Sequence, residues 1–234
     1  HIDLRSVLAG PLVDSVASRF GEDVATHGLH VAALATARSD DGRGIAGVAY
    51  NRGATVSAAL LPVWGLWASD STGENRDTPS SELIRALVEV GELASSGGSR
   101  LVVNLSLGAS SFSDPIADLA IAELVADGAL LVAASGNSGN PQVDWPARLD
   151  AVVAVGSVNY AANPAASPRS AFSNYGSRLD MVAPGAFGAD ATFASGYRGI
   201  VSAVPGNAWA LKAGTSMATP LVAGAAATVW SANP

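Results

Sequence analysis

Leu101-Val102-Val103-Asn104-Leu105-Ser106-Leu107-Gly108 and Ala129-Leu130-Leu131-Val132-Ala133-Ala134-Ser135-Gly136-Asn137 are two short apolar runs, each ending in a loop with serine and glycine. Neither alternates apolar with polar residues over its length, so neither reads as a strand with one wet face. Continuous apolar strands belong to a parallel sheet covered on both sides. The segment between them reads as the crossover. Ser113-Asp114-Pro115 places a cap and a proline where a helix opens, Ile116, Leu119, Ala120, Leu124 and Val125 supply an apolar face, and Gly128 stops it.

Working outward, Pro79-Ser80-Ser81-Glu82 opens a second amphipathic helix, with Leu83, Ile84, Leu87, Val90, Leu93 and Ala94 on one face and an end at Gly97-Gly98. Ala151 to Val158, Leu179 to Val182 and Ile200 to Val204 are further strands, and Ala54 to Val63 is a β-rich apolar segment. Toward the N-terminus, Thr26 caps a small-residue helix over 27–35, and Asp40-Asp41-Gly42-Arg43-Gly44 is a turn cluster. Strands and helices alternate, so the fold class is α/β, and ligands in such sheets sit beyond the carboxyl ends of the strands. The loops at Ser106-Leu107-Gly108 and Ser135-Gly136-Asn137 lie there.

Composition bounds the function. With 234 residues, 49% of them hydrophobic and 14% charged, the chain suits one large α/β domain over 1–234. A net charge of -7 argues against nucleic acid or an anionic membrane as partner. Without cysteine there is no disulfide framework, thiolate metal site or thiol nucleophile. The longest apolar run, around Leu221 to Trp230, is too short to span a membrane. A monomer is expected.

Gly214-Thr215-Ser216-Met217-Ala218-Thr219-Pro220 carries the chemistry. A glycine-led turn delivers Ser216 to the first turn of an Ala-rich helix, where free N–H groups and the positive dipole end favour developing negative charge. Pro220 fits a helix's opening turn. Taken alone, Ser216 reads more simply as a helix cap. A serine nucleophile needs a base, and of the three histidines His27 is best placed, before a glycine at a helix start. It also needs donors for an oxyanion, and the Asn137 amide in its glycine loop can serve.

Three motifs, in order, resemble the signatures of the subtilisin-like serine proteases, the subtilases: His27-Gly28-Leu29-His30-Val31-Ala32, Ala133-Ala134-Ser135-Gly136-Asn137-Ser138-Gly139 and Gly214-Thr215-Ser216-Met217-Ala218-Thr219-Pro220. Gly44-Ile45-Ala46-Gly47-Val48-Ala49, Val103-Asn104-Leu105-Ser106-Leu107-Gly108, Phe172-Ser173-Asn174-Tyr175-Gly176 and Leu179-Asp180-Met181-Val182-Ala183-Pro184-Gly185 extend the resemblance over nearly the whole chain. It implies a three-layer sandwich with a mainly parallel central sheet and helices on both faces. It also implies a secreted endopeptidase acting on polypeptides through an acyl-enzyme on Ser216. His27 would be general base, and Asn137 with the Ser216 N–H would hold the oxyanion. Leu105, Ser106, Leu107 and Gly108 would form one wall of the cleft for the substrate's specificity side chain, and Ala134, Ser135 and Gly136 the other. The small residues Ala134 and Gly136 suggest room for a large apolar side chain.

The resemblance also marks departures. Its triad aspartate belongs to a strand preceding a segment like His1-Ile2-Asp3-Leu4, so truncation at both ends is expected, with the carboxylate supplied by a larger precursor, a pro-segment or a separate N-terminal fragment. Asp3 matches a calcium-binding position instead. With Asp41 and carbonyls of the loop through Ser39, Arg43 and Ile45, it would form a structural Ca2+ site. Leu29 stands where threonine is usual and Ala33 where glycine is, and both could crowd the base. A pseudoenzyme or peptide-binding module is the alternative. A lipase or esterase would place its serine in a Gly-x-Ser-x-Gly elbow, and a chymotrypsin-like enzyme would be all-β.

Overall fold

The computed structural model describes residues 22–40, 42, 44–49, 68–69, 75–76, 80–97, 100–160, 167–187 and 199–232. The β-rich segment expected over 54–63, the expected calcium ligands Asp3, Asp41 and Arg43, and the N-terminal segment lie outside them. In chain order the elements are α1 (Glu22–Thr36), β1 (Ala68–Ser69), β2 (Asn75–Arg76), α2 (Ser80–Gly97), β3 (Val102–Leu105), α3 (Pro115–Ala126), β4 (Leu130–Ala134), β5 (Val153–Tyr160), β6 (Met181–Phe187), β7 (Ile200–Val204), β8 (Ala208–Lys212) and α4 (Thr215–Ala232).

Strands β3-β4-β5-β6 form a parallel sheet in that order, the alternation expected of an α/β chain. Strand β4 shows why its sequence is apolar throughout. Leu131 and Ala133 enter a core with Leu83, Leu87 and Val90 of α2 and Ala117, Ala120, Ile121 and Leu124 of α3. Val132, between them, turns to the opposite face, where Val155, Ala183, Ala218 and Ala223 meet it. Helices α2 and α3 thus cover one face and α4 the other, giving three layers. Burying each fully covered Leu or Ile contributes about 1.5–3 kcal/mol, so the double-sided β4 is a main source of stability.

Three expectations are corrected. First, α3 is capped by Asp114, whose Oδ1 accepts from Ile116 N at 2.9 Å, with Pro115 opening the helix as expected. Its buried face, however, is Ala117, Ala120, Ile121 and Leu124, while Ile116 and Leu119 are exposed. Second, α1 begins at Glu22, not after Thr26. The helix therefore runs through Thr26 and His27, and Thr26 is an interior residue rather than its cap. Third, β7 does not continue the parallel sheet. It pairs antiparallel with β8 through a turn at Pro205-Gly206-Asn207, with positive φ at Gly206 and Asn207.

Candidate active site

The carboxyl ends of β3 and β4 and the first turn of α4 converge through hydrogen bonds. Strand β6 reaches Gly185, whose carbonyl accepts from Gly214 N at 2.9 Å. A Cβ on Gly185 would stand 2.3 Å from Ser157 Oγ and 2.5 Å from Gly214 O, so only glycine allows this approach. Gly214, at φ 154, then turns the chain into α4 with Thr215 and Ser216 as its first residues.

Ser216 is clamped to the loop after β3. Its Oγ donates to Ser106 O at 3.3 Å, and in return Ser106 Oγ donates to Ser216 O at 2.9 Å while accepting from Asn104 Nδ2 at 3.0 Å. Pro220 explains the second bond. It lies in the second turn of α4, deeper than the opening turn expected, and has no N–H to offer Ser216 O four residues back. The Ser106 hydroxyl takes that place.

Asn137 follows β4. Its Oδ1 accepts from Thr215 N and from Thr215 Oγ1, both at 2.9 Å. Two donors on one end identify that end as the oxygen, which leaves Nδ2 as the outward-facing donor beside Gly214. Asn174, wholly buried, holds the same loop: its Oδ1 accepts from Ser138 N and Asn140 N, each at 3.0 Å, and its N–H donates to Gly136 O at 3.0 Å. Ser135 is buried as well, and its Oγ donates to Asn174 O at 3.3 Å.

The imidazoles sit on α1. Val31 and Leu34 pack on Met217, and a Cβ on Gly224 would stand 2.9 Å from Ala35 O, so α1 and α4 run side by side in the same direction. His27 is half-buried on α1, one turn before Val31, which packs on Met217, the residue after Ser216. His30 has a different place. It is fully buried, and its Nε2 bridges Ile200 O at 3.1 Å and Ala210 O at 3.2 Å, which ties α1 to the β7–β8 ribbon. Two carbonyl acceptors fix the proton on Nε2 and leave Nδ1 buried without a partner. Burial, with the charges of Lys212 and His27 adding to it, lowers its pKa to about 4 despite the two carbonyl bonds.

The remaining expected positions are distributed as follows. Leu105 turns its side chain into the core and Leu107 packs against it, so these two offer the cleft backbone more than side chain. Ala134 is buried beside Ser135 and Gly136. Leu29 packs toward Ala33, Ala37 and Ala203, and Ala33 fits there fully buried; both departures from the usual residues are absorbed on the ribbon side of α1. Ser39 Oγ donates to Gly47 O at 3.5 Å, and Ile45 is half-buried. Among the described residues no group of three or more His, Cys, Asp or Glu could hold a metal. Thr215, Asn104 and Asn174 were not anticipated. Thr215 directly before the serine and Asn174 inside a quoted motif were the available signals.

The family model of the subtilases matches residues 13–234. Subtilisin Savinase of Lederbergia lenta is 38% identical over 208 residues, covering 89% of this chain and 64% of that protein. An alkaline protease of Alkalihalobacillus alcalophilus is 38% identical over 208 residues, covering 89% of this chain and 45% of that protein. Among solved structures, Sphericase superposes with a TM-score of 0.72 at 26% identity, over 89% of this chain and 64% of its own. The chain thus spans less than two thirds of each of these relatives.

Proposed function

The chain belongs to the subtilase family, and from that premise we propose that residues 1–234 are one catalytic domain of a secreted serine endopeptidase that hydrolyses polypeptides. Ser216 Oγ attacks the scissile carbonyl, forming the Oγ–C bond as His27 takes the hydroxyl proton. The same imidazolium then protonates the leaving amine, and water, deprotonated by His27, hydrolyses the acyl-enzyme. Asn137 Nδ2 and the Ser216 N–H face the developing oxyanion at the positive end of α4. The observation that carries this reading is the lock between Thr215 and Asn137, which commits the amide oxygen and presents the amide donor beside the serine's turn.

The loop after β3 supports the substrate side. Ser106 lies beside Ser216, and an extended peptide backbone could pair with the loop that runs from it to Gly108. His27 needs a carboxylate to orient it, which we assign to a pro-segment or separate N-terminal fragment rather than to Asp3. No described helix is long and apolar enough to cross a membrane.

Calcium is proposed for the Ser39–Ile45 loop with Asp3 and Asp41, where it would supply only a structural clamp through oxygen donors. The two carboxylates lie outside the described residues, so their fit rests on donor chemistry alone. The proteolytic reading is tested with a casein assay of the full-length protein beside Ser216→Ala and His27→Ala. Loss of hydrolysis by at least 10³-fold in both is expected. Undiminished hydrolysis in Ser216→Ala would refute it.

A further inference from the structure

Between the two loops flanking Ser216 lies a carboxylate that the reading above does not use. The segment Val143-Asp144-Trp145 pairs with both loops: Asp144 N donates to Ser135 O at 2.9 Å, Ala109 N to Trp145 O at 3.0 Å, and Trp145 N to Ala109 O at 3.2 Å. Asp144 therefore reaches from one wall of the cleft to the other. A Cβ on Gly108 would stand 3.5 Å from Asp144 Cβ, and one on Gly136 only 2.2 Å from Asp144 Oδ2 and 2.2 Å from Asn174 Nδ2. The room that Gly136 leaves is filled by a carboxylate and is not left open for an apolar side chain.

An acid in this position is undercompensated. Asp144 is 9% exposed, and burial raises its carboxyl pKa above the usual value. Arg148 favours the charged form only from a distance, because its guanidinium donates to Ser110 O and Phe112 O. Among the described residues no cation stands at ion-pair distance from Asp144. The Asn174 amide beside the carboxylate also favours its charged form, and together with Arg148 it does not offset the burial. Buried carboxylates are ordinarily paired, and the protein side here is closed by Gly108, Gly136, Asn174 and Trp145. A cation held between these loops would lie beside Ser106 and Asn137, which contact Ser216 and Thr215.

We propose that Asp144 is the specificity determinant of this cleft and binds the Lys or Arg side chain of the residue whose carbonyl Ser216 attacks. The inference rests on the proteolytic reading and replaces the expectation of a large apolar side chain. It predicts a protease that cleaves after basic residues.

The test uses the full-length protein and peptides identical except for Lys, Arg, Leu or Phe on the acyl side of the cleaved bond. At pH 8 kcat/KM is expected to be at least tenfold higher for Lys or Arg than for Leu or Phe. Asp144→Asn, close in shape, and Asp144→Ser should each lose at least tenfold on the cationic peptides and little or nothing on Leu. An apolar preference in the unaltered protein, or a cationic preference surviving both substitutions, overturns the proposal. Binding separates it from the serine chemistry: Ser216→Ala should hold fluorescent Lys and Arg peptides at least tenfold tighter than the Leu peptide. Equal affinities overturn the role of Asp144 even if the serine is reactive. A retained cationic preference without serine reactivity supports Asp144 and refutes the protease.

Discussion

At the scale of single residues, the site is set by where polar side chains spend their hydrogen bonds. Asn137 can present a donor because Thr215 occupies its acceptor twice. Thr215→Val keeps the shape and the backbone bond but removes the hydroxyl one, so kcat should fall about tenfold with KM nearly constant, read by steady-state kinetics. Asn137→Ala should cost about 10²–10³ in kcat, a magnitude measured for an oxyanion-hole donor in subtilisin itself and borrowed for this chain. His30 gives a pH signature of stability. Its folded pKa of about 4 lies below the unfolded value near 6.5, so the unfolded chain binds the extra proton in that window. Stability is complete above pH 6.5, falls as pH drops toward 4, and loses about 3 kcal/mol in all. Urea unfolding between pH 7 and 4 should show this slope, and His30→Gln should flatten it. The sequence distinguished His27 from His30 only by the glycine after the first; what separates them physically is the ribbon that buries one of them.

At the scale of elements, α4 and the loop after β3 act as one unit. A proline in the second turn leaves Ser216 O without its helical donor, and Ser106 Oγ replaces it. Ser106→Ala should therefore cost about 1–2 kcal/mol in urea unfolding and lower kcat, since the Ser216 carbonyl loses its partner. No change in either would contradict the clamp. The elements that were legible are those whose signal is local: Asp114-Pro115 opening α3, Gly128 closing it, and the apolar runs of β3 and β4. Two features were not. Ile116 and Leu119 share a plausible helical face with Leu124, but Ala117 and Ile121 are the residues that meet the sheet, and periodicity cannot choose between two apolar stripes. Strand β8, with two alanines in five residues and a lysine at its end, lacks β-branched residues and exists because β7 pairs with it. The Ser39–Ile45 loop carries its own test: if calcium clamps it, chelation should lower the thermal midpoint by several degrees, and no shift would remove calcium from the account.

At the scale of the whole molecule, the three layers bring together residues separated by most of the sequence: Ser106, Asn137 and Ser216 come from two loops and a helix start on one side of the parallel sheet. The order of motifs made that convergence legible, because a doubly covered parallel sheet puts successive strand-end loops on one edge. Asn174 and Asp144 escaped the sequence reading because their importance lies in what surrounds them, a loop knitted by one buried amide and a carboxylate seated against a glycine. The central claim is that this convergence makes Ser216 a nucleophile. It is tested most directly by exposing the full-length protein to a fluorophosphonate probe and locating the adduct by mass spectrometry. Labelling at Ser216 that disappears in Ser216→Ala and falls sharply in His27→Ala is the predicted result. A folded protein that remains unlabelled at Ser216 would contradict it.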